Sequence, residues 1–554
     1  MKMTQITNPW FLPRLLLIFV AAAGLFMKGN ANPVRLNTIG YLPDAEKVAT
    51  VAAPCNGFKV VRADDGKSVF EGKPGEAQLN PDTEEQVYLI DFSDLKEAGT
   101  FRLLVDGVGE SAAFSIREDV YTEPFQVVTR AMYLWRCGME VDGEYRGIRF
   151  HHDACHMDDA YLDFVGGEHE IRPSIGGWHD AGDYNKYVVN AGITVDSMLR
   201  AWEDFGAEIE SIPLDLPEAG GDLPEFLAEI KWETDWVLTM QQEDGSVFHK
   251  VSTQHFGGFL PPENEDTPRY MVPWSTEATA DFAALLAKAS RSFRPYDEAY
   301  ADRCLTAAVK SYRFLQSHPA QHRADQSQFS TGQYASGDSD DRLWAAAEIW
   351  EATGDASALK DLEQRIRKSG KKFDFGFDWG GLNNLGFLTY LLSDREGRDM
   401  HLVATLRESL FKTADRMCTY SSAHGYARPF DEYYWGCNGT VVRQSIVLHA
   451  AWKLDPKPAY QANILNSLNH LFGRNVHGRS YVTGLGDMPP LYPHDRRVDF
   501  NNPGPAWPGY LVGGPNPQAA DWFDEIASFR TNEIAINWNG ALIYALACAL
   551  DTSE

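Results

Sequence analysis

A small β-sandwich followed by a large all-helical domain is the architecture that this 554-residue chain predicts. Three observations carry that reading. Short β-branched and aromatic runs, separated by Gly, Pro, Asp and Asn, fill residues 32–118. From about Tyr121 the apolar residues recur instead at helical spacing, and strand signals become sparse to the end of the chain. The length also exceeds what one hydrophobic core ordinarily organises, so two domains are expected after any leader.

The elements follow in order. Arg14 precedes an apolar run over residues 15–26, and Asn30, Ala31 and Asn32 offer small residues for cleavage, so residues 1–31 read as a secretory signal. The run is short for a membrane span, and no Cys follows it for lipid attachment; a retained anchor is the alternative. A signal implies a secreted or periplasmic protein. Residues 47–51, 58–62, 87–92, 100–105 and 112–116 read as strands, and five or more at this spacing suggest a sandwich. Beyond them, Val195, Met198, Leu199 and Trp202 follow the i, i+3, i+4, i+7 pattern of a helix with one buried face. So do Leu223, Phe226, Leu227 and Ile230; Phe282, Leu285, Leu286 and Ala289; and Leu343, Ala346, Ala347 and Trp350. The helical domain is assigned to residues 121–552. Its segment 484–518 is dense in Pro and Gly yet carries Tyr492, His494, Arg496, Trp507 and Tyr510, which reads as an ordered binding loop.

Composition narrows the partners. Fifty basic residues against 78 acidic ones leave a net charge of −28, which argues against nucleic acid and anionic membranes. A neutral polysaccharide is indifferent to that charge. The seven cysteines are odd in number and scattered, which is not a disulfide framework.

Residues 176–190 hold the densest chemistry. Asp180 and Asp183 are separated only by Ala181 and Gly182, with Trp178, His179, Tyr184, Lys186 and Tyr187 around them. Small residues admit a water or a substrate closely, and two acids can hold and deprotonate that water. Aromatic faces beside acids suit a sugar ring. Inverting hydrolysis of a glycosidic bond needs a second acid, across the bond, to protonate the leaving oxygen. Glu533, just ahead of a terminal apolar helix, is the candidate. The structural alternatives are a first-turn carboxylate for Glu533, and a helix cap or calcium ligand for Asp180 or Asp183.

These motifs resemble glycoside hydrolase family 9, the inverting cellulase family, in its branch with an N-terminal immunoglobulin-like module. The likeness runs from residues 34–43, similar to the opening of that module, to the Asn532-Glu533 pair. It implies an (α/α)6 barrel for the catalytic domain. It passes the general-base role to Asp183, water holding to Asp180 and the general-acid role to Glu533. Residues 481–496 resemble the family's His-containing signature, so His494 and Arg496 inherit sugar contacts near the cleavage point; Asp495 stands where a second His is common. Tyr434 and Trp435 resemble an aromatic sugar platform, and Trp538 matches an aromatic position near the acid.

Two metals are expected. Cys137, Cys155, His156 and His179 offer two thiolates and two imidazoles, a closed tetrahedral set for Zn²⁺. Their spacing is not that of a zinc finger, and a disulfide between the two cysteines is the alternative. The resemblance implies a structural zinc at these positions. The acidic turn 336–341 suits Ca²⁺ or, equally, a helix N-cap. The resemblance implies Ser336, Asp338, Asp340 and Asp341 as calcium ligands, with Asp378 more distant. No organic cofactor is expected. The reading is thus a monomeric endo-β-1,4-glucanase acting on a β-glucan polysaccharide or oligosaccharide. An exo-acting cellodextrinase or β-glucosidase and a xyloglucan-active endoglucanase are the alternatives within the fold. A non-catalytic glycan-binding protein is the alternative of another class, and it would have no chemical need for all three acids.

Overall fold

The computed structural model describes residues 32–550, so the predicted signal lies outside the described residues. None of the described helices is long and apolar enough to cross a membrane. The first part of the chain is a β-sandwich. One sheet orders Val34–Arg35, Val48–Val51, Gln86–Asp91 and Gln78–Leu79. The other orders Gly40–Tyr41, Phe114–Ile116, Gly99–Val105, Phe58–Arg62 and Ser68–Gly72. Alternation decides which face is buried: Phe101, Leu103 and Val105 point inward while Arg102 and Leu104 are half-exposed. Tyr41 meets Phe92 and Phe114 edge-on at 5.5 and 5.7 Å, locking the two inner faces together.

Twelve helices of the second part form two concentric rings. Val188–Glu210, Thr276–Phe293, Ser339–Thr353, Asn383–Leu392, Cys437–Leu454 and Ile536–Ala547 each pack on the next, and the last packs on the first. The outer ring alternates with them in the chain: Thr122–Tyr133, Glu225–Thr239, Glu298–Ser317, Ala356–Lys368, Met400–Ala423 and Pro458–Leu471. This is the (α/α)6 barrel. Its inner helices are buried nearly all round, as helices sandwiched between a ring axis and a second shell must be. The stripe beginning at Leu223 differs in one respect. Pro224 caps the helix Glu225–Thr239, so Leu223 lies ahead of it, because a proline suits a helix start and cannot sit in its interior.

The sandwich docks on the outer-ring helix Pro458–Leu471 and on the segment ahead of Cys437–Leu454. Asn37 Nδ2 donates to Asn469 Oδ1 at 3.0 Å, and the Thr38 amide donates to the Phe472 carbonyl at 3.0 Å. Thr50 Oγ1 donates to the Gly425 carbonyl at 2.7 Å and accepts from Arg474 Nε at 3.1 Å. Because the chain enters each inner helix from the same end, the segments ahead of these helices gather over one mouth of the ring.

Candidate active site

The segment carrying both aspartates is held from beneath by buried charges. Trp178 donates through its amide to Glu233 Oε2 at 2.6 Å and through its indole to Glu229 Oε1 at 2.8 Å. Glu229 is paired in turn with Arg136 at 2.9 Å, both side chains fully buried. Lys186 Nζ donates to the carbonyls of Ser174 and Gly176 at 2.7 and 2.9 Å, drawing the segment into a turn. A Cβ at Gly182 would overlap the carbonyl of His494, so only glycine lets the two loops touch. The Asp180 carbonyl accepts from the Ile536 amide at 2.9 Å and the Gly182 carbonyl from the Arg496 amide at 2.9 Å. Both aspartates are thereby stitched to the segments bearing Glu533, His494 and Arg496.

Asp180 accepts from Asn190 Nδ2 and from the Tyr334 hydroxyl, each at 2.7 Å. Asp183 accepts from Asn185 Nδ2 at 2.5 Å and from the Tyr187 hydroxyl at 3.1 Å. Burial raises both carboxyls, and the charge on Asp183 helps push Asp180 to about 8. Arg496, beside Asp183, opposes its rise. Glu533 follows the four-residue helix Phe529–Asn532 and precedes Ile536–Ala547. Burial, then the charge of Asp183, holds its carboxyl well above the ordinary range. The three acids line one cleft of about 260 Å³.

Aromatic rings form the rest of that cleft. Trp435 is 46% exposed, as a surface offered to a ligand should be. Tyr434 is turned toward Thr440, to which its hydroxyl hydrogen-bonds at 2.5 Å. Trp538 is a floor: a Cβ at Gly436 or Gly439 would collide with its indole, so glycines let the adjacent helix start lie against it. His494 is neutral, its pKa pulled to about 4 by burial, and its Nδ1 donates to the Ile526 carbonyl at 2.6 Å. That leaves Nε2 as the acceptor facing Arg496 Nη1 at 3.3 Å. Arg496 also lies over the rings of Phe256 and Phe259 at 5.0 and 5.4 Å. Asp495 is turned away and paired with Arg497 at 2.6 Å.

Cys137, Cys155, His156 and His179 are brought together, with one ligand atom of each within 4.8 Å of all the others. Both cysteines are free thiols. Cys137 Sγ lies 3.6 Å from His156 Nδ1, Cys155 Sγ 3.8 Å from His179 Nε2, and the two imidazole nitrogens are 3.3 Å apart. Burial keeps His179 neutral, its pKa at about 3, as metal ligation requires. His156 Nε2 is directed at Glu265 Oε2, 3.2 Å away, which orients the ring. The five expected calcium ligands are arranged differently. Among the described residues no three of Asp338, Asp340, Asp341 and Asp378 converge in this way. Asp338 is paired with Arg342 one helical turn on, at 2.7 Å. Asp340 accepts from the Leu382 amide at 2.6 Å, and the Ser336 carbonyl accepts from Gln321 Nε2 at 2.8 Å. Asp341 is buried with both oxygens unpartnered. Asp378 lines the cleft beside Trp379.

Several residues of the site escape the sequence reading. Tyr334 and Trp379, in edge contact at 5.0 Å, are not singled out there, although Trp379 directly follows Asp378. Tyr187 was visible inside the acidic segment, but nothing in its spacing revealed that it would face Asp183.

Comparison with known proteins follows this geometry closely. A model described as glycosyl hydrolase family 9 matches residues 121–546, and one described as a cellulase N-terminal Ig-like domain matches residues 30–110. Endoglucanase D of Acetivibrio thermocellus is 52% identical over 518 residues, 93% of this chain and 83% of that protein. A metagenome-derived family 9 endoglucanase of known crystal structure superposes with a TM-score of 0.88 at 32% identity, covering 93% of this chain and 98% of the other. A Zn-binding triple mutant of another family 9 endoglucanase superposes at 0.87 with 31% identity, covering 92% and 100%.

Proposed function

The chain belongs to glycosyl hydrolase family 9, and from that premise we propose that it cleaves β-1,4-glucosidic bonds within glucan chains by inversion, with Asp183 as general base and Glu533 as general acid. One observation carries the assignment: a single aromatic-lined cleft brings Asp180, Asp183 and Glu533 together, with burial raising Glu533 well above the ordinary carboxyl range and Arg496 opposing the rise of Asp183. The two roles need opposite protonation at one pH, and opposed environments supply it.

In the reaction, Asp183 takes a proton from water as the water oxygen bonds to the anomeric carbon. Glu533 gives its proton to the departing glycosidic oxygen as the old bond breaks. Asp180, held by Asn190 and Tyr334, orients the water from its second side. Tyr434, Trp435, Trp538, His494 and Arg496 hold the sugar rings on either side of the scissile bond. Endoglucanase activity in relatives at this level of identity supports an internal point of attack.

D183N and E533Q should each lower the rate on soluble β-glucan by about 10²–10⁴-fold, with circular dichroism and melting unchanged. Wild-type product followed by NMR should appear first as the α-anomer. Near-full activity in either variant, or a β-anomer formed first, refutes the assignment.

The four-residue Cys/His cluster is proposed to hold structural Zn²⁺. Tetrahedral zinc with ordinary bond lengths has edges of roughly 3.3 Å between nitrogens and about 3.6 Å between nitrogen and sulfur, in accord with the separations of 3.3, 3.6 and 3.8 Å here. Bound there, the ion would supply no chemistry to the reaction; it would pin His179, and so Asp180. At the turn 336–341, Ser336, Asp340 and Asp341 remain available to a hard cation, while Asp338 is committed to Arg342 and Asp378 to the cleft. No step involves that site. The basic, apolar and small-residue sequence of residues 1–31 supports export to the periplasm or medium, where such a polymer is met.

A further inference from the structure

Lys250 is a buried amine without an ion-pair partner among the described residues. Its side chain is wholly enclosed, and its two hydrogen-bond acceptors are neutral: Thr331 Oγ1 at 3.1 Å and the Gly332 carbonyl at 2.7 Å. A buried cation so placed costs stability unless a nearby anion offsets it. The anions it faces are Asp183 and Asp180. The backbone explains how it reaches them. Lys186–Tyr187 and Lys250–Ser252 pair antiparallel, with Tyr187 directly opposite Lys250, so both side chains leave the ladder on one face. Lys250 Nζ lies 5.4 Å from the centre of the Tyr187 ring. The Tyr187 hydroxyl donates to Asp183 Oδ2 and accepts from the Gly332 amide, each at 3.1 Å. Gly332 is thus gripped at its carbonyl by Lys250 and at its amide by Tyr187. Two residues on, Tyr334 donates to Asp180. One ammonium therefore organises the tyrosine donors of both aspartates.

We propose that Lys250 is a positioning residue and the buried counter-cation of the aspartate pair, aligning Tyr187 and Tyr334 through the 331–334 segment and keeping Asp183 ionised in acid. The proposal rests on Asp183 being the general base. Burial lowers Lys250 to about 7 even though the two aspartates oppose that fall, so it gains its charge as the pH drops below neutrality, where Asp183 needs support. The other charged and titratable groups facing Asp183 are Arg496, Glu265 and Glu533, with Tyr187 from its own segment. Arg496 is partly exposed, whereas Lys250 is wholly enclosed and does not line the cleft.

The test is the pH profile of kcat/KM. K250Q keeps a donor for Gly332 and Thr331 but removes the charge. Its acid limb should move up by about one unit, so that activity on that limb falls about tenfold, while KM at the plateau stays within about twofold. K250R, which keeps the charge, should retain the wild-type limb. Should K250Q fail to fold, K250M, which matches the lysine stem, carries the same expectation. An uncharged variant whose acid limb coincides with wild type overturns the proposal, as does a K250R limb displaced as far as that of K250Q. D183N is measured alongside: if it remains active, the base assignment itself falls, whereas an inactive D183N with an unshifted K250Q limb rejects Lys250 alone.

Discussion

Trp435 illustrates how one side chain serves two ends. Half of its indole is open to the cleft, and the other face meets Phe529 edge-on at 5.3 Å. Its indole also lies close enough to Glu533 to favour the ionised carboxylate and so oppose, weakly, the rise that burial causes. W435F removes that influence. Glu533 should then hold its proton to higher pH, and the basic limb of kcat against pH should move up by roughly half a unit. KM should rise about two- to fivefold as the platform shrinks. A basic limb displaced downward would contradict the sign. Residues of this kind differ in how readable they are. Asp180, Asp183 and Glu533 announce themselves through neighbours in the chain. Tyr334 does not: it lies 154 residues from the Asp180 it contacts, in a loop of ordinary composition. Lys250 reads as one more charge on a strand, because its lack of an ionic partner exists only once the core has formed.

The segment from Cys137 to Tyr187 behaves as one element fastened at several points: the Cys/His cluster, the Glu229–Arg136 pair, the Glu233 contact and the Lys186 clamp. Removing metal should therefore loosen the catalytic loop without unfolding the barrel. Prolonged treatment with a chelator, verified by elemental analysis, should lower kcat at least tenfold and the melting temperature by about 2–4 °C, both restored by Zn²⁺. Unchanged activity and melting in protein shown to be metal-free would reject the cluster as a structural site. Helices and longer strands were legible because their periodicity spans several turns or pleats, as in Val188–Glu210 and Gly99–Val105. Val34–Arg35, Gly40–Tyr41 and Gln78–Leu79 were not, since two residues carry no period. Ser68–Gly72 escaped because its half-exposed side chains show no apolar alternation.

At the scale of the molecule, the sandwich is a buttress. It satisfies Arg474, an arginine buried in the barrel whose pKa burial lowers to about 10, and it covers His424, which bonds to Asp82 at 2.7 Å. Deleting the sandwich should leave those groups unpaired, lowering the barrel's melting temperature by more than about 4 °C and promoting aggregation, measurable by calorimetry and light scattering. An undiminished melting temperature would show that the docking is only a tether. The number of inner helices was not readable from periodicity, which identifies a buried face but not its neighbour; the ring emerges only from the packing of Ile536–Ala547 on Val188–Glu210. That seam also completes the site. The proposed base and acid lie at opposite ends of the barrel sequence and can meet only once the final inner helix packs against the first. A chain truncated before the final inner helix should therefore be inactive, and activity reports that this seam has closed.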